Sequence, residues 1–153
     1  MTPQKMASLK IIPFRPKDQD SVRRLIEKGL SEHWGFLDST KNPDLNDIAY
    51  TYCDDIFLVA WLEDQIIGTG ALLRRSKQVG QIVRMSVANH VRRQGIGREI
   101  LKVLVSGAKD LNYNEIILET TQSWQGAIHF YEDCGFRLTH YKNGNAFFSL
   151  PLD

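Results

Sequence analysis

The sequence predicts a mixed α/β fold in which one sheet carries helices on both faces. Seven short segments have the apolar alternation and the β-branched residues of strands. Longer segments between them repeat apolar residues at helical spacing. The two kinds of segment are interspersed along 153 residues without a linker or an internal repeat, so we expect a single domain.

The first part of the chain supplies one strand and two helices. Residues 9–15 form the first predicted strand, and Pro13 indicates an edge position because proline cannot donate to a neighbouring strand. A helix is predicted over residues 18–34, and a short helix over residues 45–53 with Asp44 as its cap. The apolar face of the longer helix consists of Val22, Leu25, Ile26, Leu30 and Trp34.

The rest of the chain supplies six strands and two helices. A polar Glu-Asp pair between the first two of these strands indicates a hairpin, and Asn-Gly-Asn at residues 143–145 indicates a turn between the last two. The strands are predicted at residues 55–62, 65–75, 81–87, 115–121, 136–141 and 146–152, and the helices at about 94–112 and at 124–134.

Composition and charge narrow the class of protein. Nineteen basic residues nearly balance 18 acidic ones, and the net charge of +1 gives no general attraction to nucleic acid or to a membrane surface. No apolar run approaches the roughly 20 residues that span a bilayer, and the N-terminus lacks the apolar block of a signal peptide. We therefore expect a cytoplasmic protein with no nucleic-acid or membrane partner. Cys53 and Cys134 lack metal-ligand spacing, which predicts no metal site and two reduced core thiols.

The stretch HVRRQGIGREIL, residues 90–101, places two glycines among arginines at the start of a predicted helix. The first turn of a helix has free N–H groups and a partial positive charge. Gly95 and Gly97 leave these groups accessible to a ligand. Full positive charges nearby come from Arg92, Arg93 and Arg98. The pattern predicts an anion site for a phosphate or pyrophosphate, and a plain strand-to-helix turn with solvated arginines is the alternative.

Two common phosphate-binding motifs do not fit this stretch. The stretch lacks the Lys-Ser/Thr ending of a nucleoside-triphosphate loop, and Ile100 stands where the dinucleotide motif has its third glycine. It does match R-x-x-G-x-G, through Arg92, Gly95 and Gly97. A second motif, Y-x-x-x-G-F, ends the segment AIHFYEDCGF at residues 127–136. With both motifs in this order, the sequence resembles the GNAT superfamily of N-acetyltransferases.

The resemblance extends over roughly residues 9–150 and implies a fold, a co-substrate and a site. It implies that residues 1–153 form one N-acetyltransferase domain with a sheet of about seven mostly antiparallel strands. It also implies that acetyl-CoA binds between the fourth and fifth strands and that no metal takes part. Backbone groups of Met85 and Val87 would hold the pantetheine arm and polarise the thioester carbonyl. The pyrophosphate would bind N–H groups of Arg93, Gln94, Gly95, Ile96, Gly97 and Arg98.

Two residues are the first candidates for the chemistry. Tyr131 matches the family tyrosine whose hydroxyl assists departure of the thiolate, although a core aromatic also fits this position. Glu119, on one strand face near the expected cleft, is the first candidate for the base that takes the proton from the amine. A solvated strand carboxylate fits Glu119 nearly as well. His33 with Glu32, then His129, then a chain of waters are the further candidates for the base.

Two positions depart from the family pattern. Trp124 stands where the family often has an asparagine that contacts the cofactor. Gln81 stands near the place where some members have a general-base glutamate, and an amide cannot accept the proton in that role. The resemblance therefore leaves the base and one cofactor contact open.

The segment EHWGFLDSTKNPDL, residues 32–45, groups aromatic and acidic side chains, including Phe36, Asp38 and Asp44. In the family this region tends to form the acceptor wall, and aromatic rings with carboxylates suit a cationic amine. A core tryptophan with two capping aspartates is an equal alternative. The predicted acceptor-binding residues are Glu32, His33 and Trp34.

The predicted function is transfer of an acetyl group from acetyl-CoA to a primary amine of a small molecule or peptide, by direct attack in a ternary complex. Another acyl donor, a hydroxyl acceptor and a non-catalytic acyl-CoA sensor are the alternatives. The balanced charge disfavours a module that binds phosphopeptides or nucleic acid through the arginines. A homodimer is left open, with residues 145–152 as a strand that could pair across it.

Overall fold

Seven strands form one sheet in the computed structural model, which describes residues 2–35 and 37–153. The strands are β1 (Leu9–Pro13), β2 (Ile56–Leu62), β3 (Gln65–Arg74), β4 (Val79–Val87), β5 (Glu115–Thr121), β6 (Arg137–Lys142) and β7 (Asn145–Pro151). Their order across the sheet is β1-β2-β3-β4-β5-β7-β6. Every neighbouring pair is antiparallel except β4 and β5, which are parallel. The predicted α/β fold with seven mostly antiparallel strands is confirmed.

Helices connect the strands and pack on the sheet. They are α1 (Pro3–Ala7), α2 (Gln19–Trp34), α3 (Ile48–Thr51), α4 (Ile96–Asp110) and α5 (Gln125–Asp133). Short 3-10 turns occur at Pro16–Asp18, Ser39–Lys41, Pro43–Asn46 and Asn89–Val91. No helix in the described part of the chain is both long and apolar enough to cross a bilayer.

Two apolar clusters lie on opposite faces of the sheet. The larger cluster joins α4 and α5 to the sheet, and includes the fully buried Ile100 and Leu104 of α4. The smaller cluster joins α2 to the other face through Val22 and Ile26. Full burial of one such side chain stabilises a fold by about 1.5–3 kcal/mol, so these two faces hold the helices firmly. The residues of the candidate site come from the helices on both faces and from the sheet between them.

The sheet opens between β4 and β5. Their parallel pairing covers Val79↔Glu115 to Gln81↔Ile117 and then stops. Beyond that point β4 pairs with β3, whereas β5 pairs with β7. The carboxyl ends of β4 and β5 therefore separate, and we call this gap the split.

A bulge interrupts β4 beside the split. Thr69 pairs with Ser86 and Ala71 pairs with Val83, so β4 has one more residue than β3 in this interval. Arg84 takes up the difference in a left-handed conformation with φ 56°. The Thr69 hydroxyl donates a hydrogen bond of 2.8 Å to the Arg84 carbonyl. A left-handed conformation is costly for a residue with a Cβ, so the bulge depends on its surroundings.

Several local predictions about caps and burial were wrong. Asp44 does not cap a helix, because its carboxylate binds Arg84 and Tyr52, and Asp47 caps α3 instead. The predicted helix over residues 45–53 is a 3-10 turn followed by α3. Cys53 is exposed and is therefore not a core residue.

The strand proposed for pairing across a dimer was also wrong. β7 lies between β5 and β6, so both of its edges are already paired. The outer strands of the sheet are β1 and β6. Pro13 lies on β1, which confirms its predicted edge position.

Candidate active site

The loop between β4 and α4 presents a continuous row of free backbone donors. Within residues 2–35 and 37–153, none of the N–H groups of residues 93–98 has a hydrogen-bond partner. The first backbone bond is from the Glu99 N–H to the Gly95 carbonyl, at 3.1 Å. Arg93 and Gly95 are left-handed, with φ 62° and 93°, an alternation that makes a concave set of N–H groups. The row therefore suits an anion at the positive end of α4.

The two glycines of this loop have different reasons to lack a side chain. Gly95 needs its positive φ, and a Cβ there would meet only Met6, at 3.8 Å. A Cβ on Gly97 would lie 3.3 Å from the Phe130 ring and 3.7 Å from Val87. Gly97 thus lies where α4 begins, close to Phe130 of α5 and Val87 of β4, and a side chain there would press on the Phe130 ring. The contact between this position and Phe130 did not follow from the sequence.

The arginines of the loop are not equivalent. Arg92 turns inward: its Nε donates to the Val87 carbonyl at 2.9 Å, and its guanidinium forms an ion pair of 2.8 Å with Glu32. It therefore ties the loop to β4 and to α2. Arg93 and Arg98 are more exposed and carry the charge at the entrance of α4.

The other residues predicted to bind the cofactor lie on β4, in the loop after it and at the start of α4. Met85 packs on the α4 side, since a Cβ on Gly70 would meet its sulfur at 2.6 Å. Ile96 is buried in the core, so only its backbone N–H is available to a ligand. Gln94 is partly buried in the loop.

Tyr131 lies on α5 in an aromatic environment. Its ring makes edge contacts with Phe130 at 5.1 Å and Phe136 at 5.8 Å between centroids, and it approaches Phe148. Burial, with a smaller contribution from Cys134, raises the pKa of Tyr131 above its usual range. The phenol therefore stays protonated at neutral pH and is available to donate a proton or a hydrogen bond.

Three aromatic rings lie together, two of them at the end of α2 and one just before α5. His33 stacks on Trp124 with centroids 4.0 Å apart, and Trp34 lies 5.3 Å from the same ring. Trp124 comes just before α5, so the cluster bridges from α2 to the segment after β5. Trp34 is 51% exposed, which rules out the core alternative for this residue.

Burial and two neighbouring charges set the pKa of His33. Burial lowers the pKa of His33, the nearby Arg92 charge lowers it further, and Glu32 raises it in part. The imidazole is therefore neutral at neutral pH. Asp38, predicted in the same wall, accepts from the Thr40 N–H and caps the turn at Ser39–Lys41. The predicted wall residue Phe36 lies outside the described residues.

Glu119 lies on β5, two residues beyond the last pair with β4. Ile116 and Leu118 belong to the cluster under α4 and α5, so alternation places Glu119 on the opposite face. That is the face on which α2 packs, and Glu119 is exposed there. The structure thus puts Glu119 and His33 on the same side of the sheet.

Sequence comparisons place the chain in one family. A family model described as the Acetyltransferase (GNAT) family matches residues 20–136. Human N-acetyltransferase 8B is 32% identical over 124 residues, which cover 75% of this chain and 52% of that protein. N-acetylaspartate synthetase of Danio rerio is 32% identical over 106 residues, 67% of this chain and 38% of that protein. The chain spans about half the length, or less, of these curated relatives.

Solved structures show the same fold. An acetyltransferase of the GNAT family from Staphylococcus aureus Mu50 superposes with a TM-score of 0.87, at 24% identity, over 95% of this chain and 99% of that one. The PaiA N-acetyltransferase of Thermoplasma acidophilum, solved in complex with coenzyme A, gives 0.83 at 15% identity over 95% and 99%. The family model, the relatives and the shared fold together show that this chain belongs to the GNAT family of acetyltransferases.

Proposed function

We propose that this chain transfers the acetyl group of acetyl-CoA to a primary amine by direct attack in a ternary complex. The observation that carries the proposal is the row of free N–H groups at residues 93–98, beside the split. A pyrophosphate suits such a row, because its negatively charged oxygens accept backbone N–H bonds at the positive end of a helix. A protein of the same fold, the PaiA N-acetyltransferase of Thermoplasma acidophilum, was solved in complex with coenzyme A, which supports coenzyme A as the class of ligand.

The cofactor side of the site is assigned to β4 and α4. Acetyl-CoA supplies the thioester carbonyl carbon that the amine attacks. The N–H groups of residues 93–98 hold the pyrophosphate, and Arg93 and Arg98 add charge around it. Arg92 adds charge while its bonds to Val87 and Glu32 fix the loop. The backbone of Met85 and Val87 lines the path of the pantetheine arm.

The acceptor side is assigned to the face that α2 covers. The aromatic cluster of His33, Trp34 and Trp124, with the Glu32 carboxylate next to it, offers a surface for a cationic amine. The amine must lose a proton before it attacks, since its pKa is roughly 10.4 when lysine-like. Glu119 is the first candidate for this base, and the neutral His33 is the second. Tyr131 then protonates the departing thiolate.

Amine-dependent release of free coenzyme A tests the proposal. The assay supplies acetyl-CoA with a panel of amines: a polyamine, a lysine peptide, a peptide with a free N-terminus, and amino acids. The amino acids include aspartate, because one relative is named N-acetylaspartate synthetase. Release that requires an amine supports the proposal. Binding of acetyl-CoA without release on any amine contradicts it and indicates an acyl-CoA sensor.

Two variants separate the candidates for the base. Glu119→Gln or His33→Gln is expected to lower kcat at neutral pH, because an amide cannot accept the amine proton there. Glu63→Gln is the matched control, since Glu63 is an exposed carboxylate in the turn between β2 and β3. A fall for only one of the first two variants identifies the base. Wild-type kcat for both would remove both residues from this role.

A further inference from the structure

Arg84, at the bulge of β4, forms a two-point ion pair with Asp44. Its Nη2 atom lies 2.6 Å from Asp44 Oδ1, and its Nε lies 2.9 Å from Oδ2. The side chains are only 18% and 23% exposed. Parallel bonds of this kind fix orientation as well as distance, and they are stronger than a single exposed contact. The pair spans 40 positions of sequence, so it joins two distant parts of the chain.

Two further side chains complete this group. The Tyr52 hydroxyl donates to Asp44 Oδ2 at 2.6 Å, and Arg84 Nη2 donates to Asn42 Oδ1 at 3.0 Å. Burial alone would raise the pKa of Asp44, but the bonds from Arg84 and Tyr52 outweigh it and the pKa lies below its usual range. Asp44 is therefore charged at neutral pH. We call Arg84, Asp44, Asn42 and Tyr52 the latch.

The latch connects the two sides of the proposed site. Asp44 belongs to the loop of residues 37–47, which follows α2 and its aromatic residues in the chain. The far end of this loop is held to the start of α2, where the Gln19 amide donates to the Leu45 carbonyl at 2.7 Å. Arg84, on the other side of the latch, directly precedes Met85 in β4. A shift of this loop would therefore move the acceptor side relative to β4, the strand that faces the split.

We propose that Arg84 and Asp44 are positioning residues, which hold the acceptor side of the site in register with β4. This inference rests on the proposed function. The latch acts on the acceptor because it restrains the loop, whereas the Thr69 hydroxyl holds the Arg84 carbonyl at the bulge independently. Loss of the latch should therefore impair use of the amine and spare the binding of acetyl-CoA.

The test compares Asp44→Asn and Tyr52→Phe with the wild-type protein. Asp44→Asn keeps the shape but removes the charge that Arg84 binds, and Tyr52→Phe removes one bond and leaves the ion pair. Glu27→Gln is the matched control, because it breaks the similarly part-buried Arg23–Glu27 pair of 3.3 Å within α2. Each variant is measured for KM and kcat on an amine acetylated by wild type, for the Kd of acetyl-CoA, and for hydrogen exchange of residues 37–47.

For Asp44→Asn we expect the KM for the amine to rise about tenfold, equivalent to about 1.4 kcal/mol, with the Kd of acetyl-CoA within about twofold. Tyr52→Phe should give a smaller rise, and Glu27→Gln none. Exchange should quicken in residues 37–47 and stay unchanged in α4. Faster exchange with an unchanged KM, or equal loss of acetyl-CoA binding, would overturn the positioning role. A wild-type protein that acetylates no amine would overturn the proposed function and this inference together.

Discussion

At the residue scale, Tyr131 combines a buried ring with a hydroxyl that stays protonated. We predict that Tyr131→Phe lowers kcat by about 10²-fold, the low end for general acid catalysis, because it removes only the proton donor. The Kd of acetyl-CoA should change little, since the phenyl ring keeps its contacts with Phe130 and Phe136. Tyr141→Phe is the control, because Tyr141 is exposed on β6. Wild-type kcat in Tyr131→Phe would remove Tyr131 from the chemistry.

Burial lowers the pKa of His33, and two neighbours of opposite charge, Arg92 and Glu32, adjust it further. We predict that Arg92→Met raises the pKa of His33, because the cation that disfavours imidazolium is removed. Glu32→Gln should lower the pKa of His33 further, because the carboxylate that favours imidazolium is lost. Imidazole resonances followed by NMR against pH report both shifts. Shifts of the same sign in the two variants would contradict this description of the site.

The lowered pKa of His33 also has a consequence for stability. Because the folded-state value lies below the unfolded value of 6.5, the unfolded chain binds the proton more readily. The contribution of His33 to stability is complete above about pH 6.5 and is lost as the pH falls towards the folded value. His33→Gln should therefore lose the part of the decrease in folding stability at acid pH that protonation of His33 causes.

The position of the glycines at the start of α4 was predictable because it depends on local sequence. Gly95 and Gly97 were identified from spacing alone, and both lie at the start of α4 as expected. The partners of Arg92 and Arg84 were not predictable, since Glu32 and Asp44 lie far away in sequence and pair only through the fold. Trp124 carried a signal, its departure from the family asparagine, but its stacking on His33 did not follow from it.

At the element scale, α4 packs very closely on β3. A Cβ on Gly70 would lie 2.6 Å from the Met85 sulfur and 2.7 Å from Ile100. We predict that Gly70→Ala lowers the free energy of unfolding by about 1–3 kcal/mol, because one of the layers must shift. Gly126→Ala in α5 is the matched control, because a Cβ there meets nothing within 4 Å.

The control should leave stability unchanged or raise it by up to about 1 kcal/mol, because alanine is the better helix former. Urea unfolding of both variants measures the difference. Equal stability of Gly70→Ala and the wild-type protein would mean that the contact between α4 and β3 is looser than described.

The sequence predicted which segments form strands better than it predicted where each strand lies in the sheet. All seven strands were predicted because alternation is a local property. The place of β7 inside the sheet was missed, because strand order depends on long-range pairing. The bulge at Arg84 was missed for the same reason: it is defined by a shift in register against β3.

At the scale of the whole molecule, the sheet carries a different part of the candidate site on each face. One face and α4 supply the row of N–H groups at residues 93–98, and the other face and α2 supply the aromatic cluster and the loop held by the latch. The split between β4 and β5 is the place where the two faces meet. Under the proposed function, this division predicts that the cofactor and the acceptor approach the split from opposite faces of the sheet.

The most direct test of this account is a calorimetric titration of the protein with acetyl-CoA. Gly95→Asp places a carboxylate against the row of N–H groups, and Gly144→Asp is its matched control. Gly144 also has a positive φ, 81°, and open space around it, but it lies in the turn between β6 and β7. We predict that the wild-type protein and Gly144→Asp bind acetyl-CoA with similar affinity, and that Gly95→Asp does not bind it. Equal binding by all three proteins, or none by the wild type, would contradict the assignment of this loop to the cofactor.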